Sequence, residues 1–432
     1  MNRLQAMWIG LRSSLWFLPS LIVLFSLLLA AVLVQAEGIV TDELARNWPR
    51  LFGASAEGSR AMLGAIATSM ITVAGVVFSI TVVALSLASS QYSPRILRNF
   101  MGDRITQLVL GVFVGVFAYC LVVLRTIRGG EELAFVPSLA VIAAIVYVLV
   151  AIGFLIYFIH HVADSIQASA IVANIRNETS AAIDRLYPQD VGQPASGDKR
   201  AQHPGQLSGW SPVPSHKTGY VVGIDGEEFL KFAVARGIVV RLPANGDFVV
   251  EGAPLLQVLG ETHEVGPEDR RQLVSWIVVG RQRTVEQDAA FGFQQLVDMA
   301  VRALSPGIND PTTACMCVDS LGALLARLAA RGVPDPRRSS QGSLRVIAPA
   351  PGFGDILRLA LLPVVRHSRG DLQVLSRILD SVEVIKAMTT DRSRHRQLAD
   401  VVRPLMTELD QLTRTAEVTD ARRRARRVEQ AL

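Results

Sequence analysis

Asp298, Arg302, Asn309 and Asp310 fall close together in the stretch "RQRTVEQDAAFGFQQLVDMAVRALSPGINDPTTACMCVDSLGALL", Arg281 to Leu325. Carboxylates beside a guanidinium and a carboxamide can recognise an anion or a polar ligand, and a carboxylate with a raised pKa can move a proton. The surrounding text predicts a helical hairpin. One helix covers about 285–304 and a loop follows at Ser305 to Asn309. Asp310 is then an N-cap with Pro311 in the first turn, and a second helix runs to about Ala330. A helix start offers unpaired N–H groups that attract anions. A tight hairpin needs Asn309, Asp310 and Pro311 for its turn in any case, and Asp288, Asp298 and Arg302 crowding one end would serve equally as salt links. The loop is a candidate ligand or docking site, and no catalytic role is assigned to it.

The segment "TSMITVAGVVFSITVVALSLASSQ", Thr68 to Gln91, has no ionisable side chain, yet it keeps hydroxyls throughout. At about 100° per residue, Gly64, Thr68, Thr72, Gly75, Ser79, Val82, Ser86 and Ser90 lie within about 40° of one line on a helix. Every one but Val82 is small or hydroxylated. Two causes produce such a face. In lipid, helices associate through close approach and hydrogen bonds at small residues, about 0.6 to 2 kcal/mol per bond. Alternatively, hydroxyls without charge line a narrow wet path. Gly111 and Gly115 in "GVFVG" carry a similar close-packing signal on another apolar segment.

Other chemistries are poorly represented. No apolar segment holds a charge or a His in its middle, which disfavours proton-coupled pumps and voltage sensors. His160 and His161 end one apolar run and suit a pH-sensitive pair, but without Cys or carboxylate partners at ligand spacing no metal is expected. Cys120, Cys315 and Cys317 form no disulfide framework. No nucleophile elbow, phosphate loop, H-E-x-x-H or dinucleotide glycines occur in a credible context, so the chain is not expected to be an enzyme. The tail "ARRRARRVEQAL" is first a solvated helix face and second a contact for anionic lipid. Nucleic acid is not expected.

The elements that must carry these groups follow from composition. Of 432 residues, 50% are hydrophobic and 19% charged, which places the chain in a membrane. Four runs lack Asp, Glu, Lys, Arg and His over the length a bilayer needs: Ser13 to Ala36, Ala61 to Gln91, Ile105 to Leu124 and Leu133 to Ile159. The first, after Arg3 and Arg12, is too long for a signal h-region and is read as an uncleaved span, with a cleaved signal as the alternative. The expected organisation is a multi-pass α-helical membrane domain of four spans over 1–160, followed by an α+β region. That region comprises a helical stalk over 161–187 able to pair with copies of itself and a Pro/Gly-rich linker over 188–217. A small β-rich module over 218–262 and a mainly helical domain over 263–432 complete it. The second half of the β module, "NGDFVVEGAPLLQV", resembles the turn-and-strand pattern of lipoyl and biotinyl carrier hybrids. It lacks their modified Lys, Lys231 lying in a predicted helix, so no cofactor is expected.

"VVFSITVVALSLASSQYSPRILRNF" in the second span and "RALSPGINDPTTA" in the soluble half together resemble the bacterial family of predicted membrane proteins of unknown function, DUF2254. The resemblance runs from the first span to near Val384. It implies a four-span inner-membrane protein with a cytoplasmic C-terminal domain, and no activity or site residue. Arginines in the short connections divide evenly between the two sides. Orientation therefore rests on the free thiols, the basic tail and an even span count, which set both termini in the cytoplasm. The expected function is a homo-oligomeric channel or transport-related protein with a cytoplasmic regulatory or docking domain. The layout is similar to that of small mechanosensitive channels. A non-conducting scaffold or sensor is the alternative.

Overall fold

The computed structural model describes residues 16–47, 55–91, 103–128, 135–187, 209–260, 266–333, 335–340 and 343–432. The basic flank of the first span, the "YSPRILRNF" half of the second-span motif and most of the Pro/Gly-rich stretch lie outside the described residues. The chain divides into two compact units, one ending at Gln167 and the other running over Ala168–Leu432.

The first unit holds four apolar helices, α1 (Phe17–Asn47), α2 (Ala56–Gln91), α3 (Arg104–Thr126) and α4 (Ser138–Ser165). All are long and apolar enough to cross a membrane. A fifth helix of the chain, Pro311–Ala329, meets the same criterion and lies in the second unit. Helix α3 is the hub, with α1, α2 and α4 all packed on it. Its start is fixed by Asp103, whose carboxylate accepts from the Ile105 and Thr106 amides at 3.2 Å each, the arrangement an N-cap requires. Glycine lets α1 approach closely. A Cβ at Gly111 would lie 2.6 Å from Ile22 Cδ1 and 3.0 Å from Pro19 Cα, and one at Gly115 would lie 2.6 Å from Ser26 Oγ.

The second unit opens with α5 (Ala168–Leu186). The expected stalk is not one helix: α4 ends at Ser165 and α5 begins at Ala168. Nor is α5 free to pair with copies of itself. Its apolar stripe of Ile171, Val172, Ile175, Ala182 and Ile183 is buried against α8 (Ala289–Ala303) and α9 (Pro311–Ala329). A three-and-four apolar spacing marks a buried face without saying which partner buries it.

Strands follow as β1 (Ser211–Pro214), β2 (Gly219–Ile224), β3 (Ile238–Arg241), β4 (Phe248–Val249), β5 (Pro254–Gly260), β6 (Ile277–Gly280), β7 (Arg337–Ser340) and β8 (Ser343–Ile347). They form a five-stranded sheet in the order β1-β5-β3-β8-β7 and a three-stranded sheet in the order β4-β2-β6. The strands of 218–262 thus pair beyond that range: β3 runs parallel to β8, and β2 antiparallel to β6. Strand β1 falls inside the expected linker. Its prolines, 212 and 214, signal a loop but are tolerated here because β1 is an edge strand. Helices α6 (Gly226–Arg236) and α7 (Pro267–Ser275) contribute Phe229, Ala233 and Leu273 to the core shared with Val221, Val240, Leu256 and Val258. Gly237, in the left-handed region at φ 65°, closes α6, as a C-terminal glycine does.

Four further helices complete the bundle: α10 (Phe353–His367), α11 (Leu372–Ala387), α12 (Arg392–Gln411) and α13 (Ala416–Gln430). Two crossings are so tight that only glycine fits. A Cβ at Gly292 of α8 would come within 2.9 Å of Thr179 Cβ on α5, and one at Gly322 of α9 within 2.6 Å of Ser381 Oγ on α11.

Candidate functional site

The small-residue arc of α2 lies on the side that the membrane unit leaves uncovered. The packed side of α2 is Leu63, Ala67, Met70, Ala74 and Val77, centred about 150° round the helix from the arc. Thr68, Thr72, Gly75, Ser79, Ser86 and Ser90 are exposed and Gly64 is half-buried. Nothing lies within 4 Å of a Cβ built at Gly64 or Gly75. The flanks carry Phe78 at 55% and Val83 at 63% exposure, apolar surface suited to lipid. Some of the hydroxyls are satisfied within their own helix: Thr72 Oγ1 donates to Thr68 O at 2.8 Å and Ser90 Oγ to Leu87 O at 3.0 Å.

A contrasting set of polar side chains is buried inside the same unit. Ser26 Oγ donates to Ile22 O at 2.8 Å and accepts from the Tyr147 hydroxyl at 2.7 Å. Tyr119 OH donates to Ala140 O at 2.8 Å and its ring meets Tyr147 edge-on at 6.0 Å. These bonds join α1, α3 and α4. A second polar link sits where α3 begins. His161 Nε2 lies 2.8 Å from Asp103 Oδ2, and its ring stacks on Tyr157 at 6.2 Å. From the sequence His161 has no visible partner, because its carboxylate is 58 residues earlier and belongs to another helix.

In the second unit the predicted hairpin is present. Asn309 adopts φ 49°, and Asp310 N donates to Ala303 O at 2.8 Å, closing the turn. The Asp310 carboxylate caps α9 by accepting from Thr313 N at 3.0 Å and Thr313 Oγ1 at 2.6 Å. Those hydrogen bonds hold its pKa below the usual carboxylate range. Arg302, Asn309 and Asp310 share this end. Asp298 stands one turn back on α8, accepting from Gln294 Nε2 at 2.8 Å. Asp288 belongs elsewhere. It caps the opposite end of α8, about 20 Å away along the helix.

Asp288 there forms a cluster of its own. It is 7% exposed, takes Arg283 Nη2 at 2.6 Å and Nε at 2.8 Å, and abuts Gly246, which turns at φ 90°. Burial raises its pKa against the lowering effect of Arg283. Gln287 Oε1 beside it accepts the Ile224 amide at 3.0 Å, so the cluster fastens the sheets to the helices.

The Arg-rich tail is partly engaged within the fold. Arg422 donates to the carbonyls of Leu409 and Leu412, and Arg424 Nη2 reaches Asp380 Oδ1 and Glu383 Oε2 at 2.8 Å each. Arg423, Arg426 and Arg427 are exposed.

Comparison with known proteins finds a match over residues 12–383 to DUF2254, described as a predicted membrane protein. An uncharacterised protein of Mycobacterium tuberculosis is 32% identical over 448 residues, covering 99% of this chain and 83% of its own length. An uncharacterised protein of Mycobacterium bovis is similar to the same extent. No solved structure matches.

Proposed function

We propose, for a chain that belongs to the DUF2254 family of predicted membrane proteins, that it works as a homo-oligomer in the bacterial inner membrane. In this reading α2 of each copy turns its hydroxyl arc toward the others and lines a path for a small solute or ion. The observation that carries the reading is the arc's position. Seven small or hydroxylated residues occupy a side of α2 that its own bundle does not cover, and an uncharged polar stripe gains nothing from facing lipid tails. Four helices span the bilayer. Helix α9, though apolar enough, buries Cys317, Val318, Leu321, Leu325 and Leu328 within the second unit and is kept there. The free, buried thiols of Cys315 and Cys317 suit a reducing compartment, so the second unit is assigned to the cytoplasm as a regulatory or docking domain. An even number of spans then sets the start of α1 on the same side. No catalytic step, metal or cofactor is part of the reading.

The second reading is a non-conducting scaffold or sensor, in which the arc is a packing face between copies. It is favoured by Thr72 and Ser90, whose hydroxyls bond their own helix backbone and require no water. Ser79→Leu separates the two, with Val83→Leu as a lipid-face control. Oligomer mass in detergent and flux in vesicles are read on the same samples. A wet path predicts an intact oligomer with reduced flux. A packing face predicts a weakened oligomer, since overpacking costs about 1–3 kcal/mol. An intact oligomer with unchanged, non-zero flux would sink the pore reading.

A further inference from the structure

The helices of the second unit run between two ends that differ in chemistry. Asp184 of α5 holds Arg327 of α9 through two hydrogen bonds of 2.7 and 2.6 Å. One turn on, Arg331 Nη1 donates to Tyr187 O at 2.9 Å, so the two helices run parallel, and following both back by the same number of residues reaches their starts at Ala168 and Pro311. Gly322 against Ser381, and Arg377 Nε at 3.4 Å from Asp319 Oδ1, set α11 parallel to α9. Leu372 therefore starts at that end too. Leu412 joins them, since a Cβ at Gly370 would lie 2.5 Å from its Cδ2. The loops Ser305–Asp310, Ser368–Asp371 and Leu412–Thr415 share this end with Ala168. The sheets are fastened at the opposite end, through Gln287 and the Arg283–Asp288 cluster.

The loop end is basic with an apolar tip. Arg302, Arg366, His367, Arg369 and Arg414 are exposed there, and among the described residues the guanidinium groups of Arg366, Arg369 and Arg414 have no carboxylate partner. The aspartates nearby are committed. Asp310 and Asp371 cap helices, with Val374 N 3.1 Å from Asp371 Oδ1, and Asp410 lies 3.2 Å from Arg422 Nε. Glu417 is the exposed acid of the first turn of α13. At the tip, Ile308 is 43% exposed beside exposed Pro306. The non-glycine residues with positive φ among those described, Asn309 at 49° and Arg369 at 47°, both lie in these loops. Such conformations cluster where a loop has a task.

The chain enters this end two residues after the last apolar helix, which stops at Ser165, α5 starting at Ala168. We propose that the loop end docks on an anionic phospholipid surface, with Arg366, Arg369 and Arg414 at the phosphate headgroups and Ile308 entering the interface. The proposal rests on reading the apolar helices as spans. It moves the lipid contact away from the Arg-rich tail, where Arg422 and Arg424 are already held by carbonyls and carboxylates of the fold.

The test uses the full chain reconstituted in phosphatidylcholine vesicles with or without phosphatidylglycerol. An environment-sensitive fluorophore is attached after Ile308→Cys or, as a control at the opposite end of α11, after Met388→Cys, a site 51% exposed. The native thiols are buried. Brominated lipid should quench the label at position 308 in anionic vesicles, less in neutral ones or at high salt, and leave the label at 388 unaffected. Arg366→Gln, Arg369→Gln and Arg414→Gln together should lower the docking equilibrium constant, about fivefold per arginine at low salt, without changing thermal unfolding. Equal quenching at both sites, indifference to the three substitutions, or loss of quenching on Arg423→Gln, Arg426→Gln and Arg427→Gln instead would overturn the proposal. The label responds to lipid whether or not the protein conducts, so this result and the Ser79→Leu result fail independently.

Discussion

The glycines of α3 and the small residues of α2 use the same alphabet for opposite ends. On α3, a Cβ at Gly115 would lie 2.6 Å from Ser26 Oγ and 2.8 Å from the Tyr147 hydroxyl, whereas Gly64 and Gly75 of α2 have nothing within 4 Å. A small residue in a membrane helix is a permission for close approach, and a partner must arrive to use it. Helix α3 has partners on several sides because it is the hub of the unit. Helix α2 meets the bundle through Leu63, Ala67, Met70, Ala74 and Val77, leaving its small-residue arc unused by the monomer.

The largest effect expected from this contrast is at Gly115. Gly115→Leu should drive α1 and α4 off α3 and unfold or misassemble the membrane unit, a loss of about 3 kcal/mol or more at a crossing with no room to yield. Gly75→Leu, meeting nothing in the monomer, should leave its thermal midpoint in detergent level or slightly raised. Similar midpoints for the two variants would remove the distinction between the used and unused faces.

The same device recurs in the second unit and is open to a cleaner measurement. Gly292→Ala places a Cβ 2.9 Å from both Thr179 Cβ and Cγ2, for an expected cost of about 1–3 kcal/mol in denaturant unfolding. Thr179→Ala removes Cγ2 and Oγ1, and should recover part of the loss when combined with it. A coupling above about 0.5 kcal/mol in the double-mutant cycle would tie the cost to this crossing. Additive effects would place it elsewhere.

Polar side chains sort in the same manner, which explains how far the sequence could be read. The α8–α9 hairpin was legible because its signals are local: Asp310, Pro311 and the apolar period lie within one turn of each other. The four apolar helices of the first unit were legible by length, although the same criterion also admits α9. What remained hidden depends on contacts distant in sequence, such as His161 with Asp103, Ser26 with Tyr147, and α5 with Gly292. The prolines of β1 concealed an edge strand, and β3 could not announce a parallel partner in β8. The arc on α2 was visible as a pattern, but its exposure is set by where α3 packs. The loop end as a surface was invisible, since Ile308, Arg369 and Arg414 come from three separate connections.

Asp310 offers a smaller effect with a defined pH sign. Asp310→Ala should cost about 1 kcal/mol as a lost N-cap, and Asp310→Asn much less. The folded state lowers this carboxyl's pKa, so its contribution is fully present above its unfolded pKa, about 4. It fades as pH falls through the lower folded value. In acid, therefore, the Ala variant and wild type should converge in unfolding free energy. A gap that widened there would reassign the role of this carboxylate.

The smallest change, Gly75→Ala, is informative through its sign. In the monomer the added methyl meets nothing, and replacing glycine inside a helix by alanine should stabilise by about 0.5–1 kcal/mol. If copies of α2 press their arcs together, the methyl holds two backbones apart and weakens the oligomer even as each monomer gains. If the arc borders water, the oligomer should hold while the path narrows slightly. Monomer unfolding and oligomer dissociation measured on one preparation would thus move in opposite directions for a packing face. For a wet one, monomer stability should rise while dissociation stays put. An arc buried in lipid in every state predicts the monomer gain alone, with neither association nor flux altered, and would leave α2 as an ordinary span whose hydroxyls serve only their own backbone.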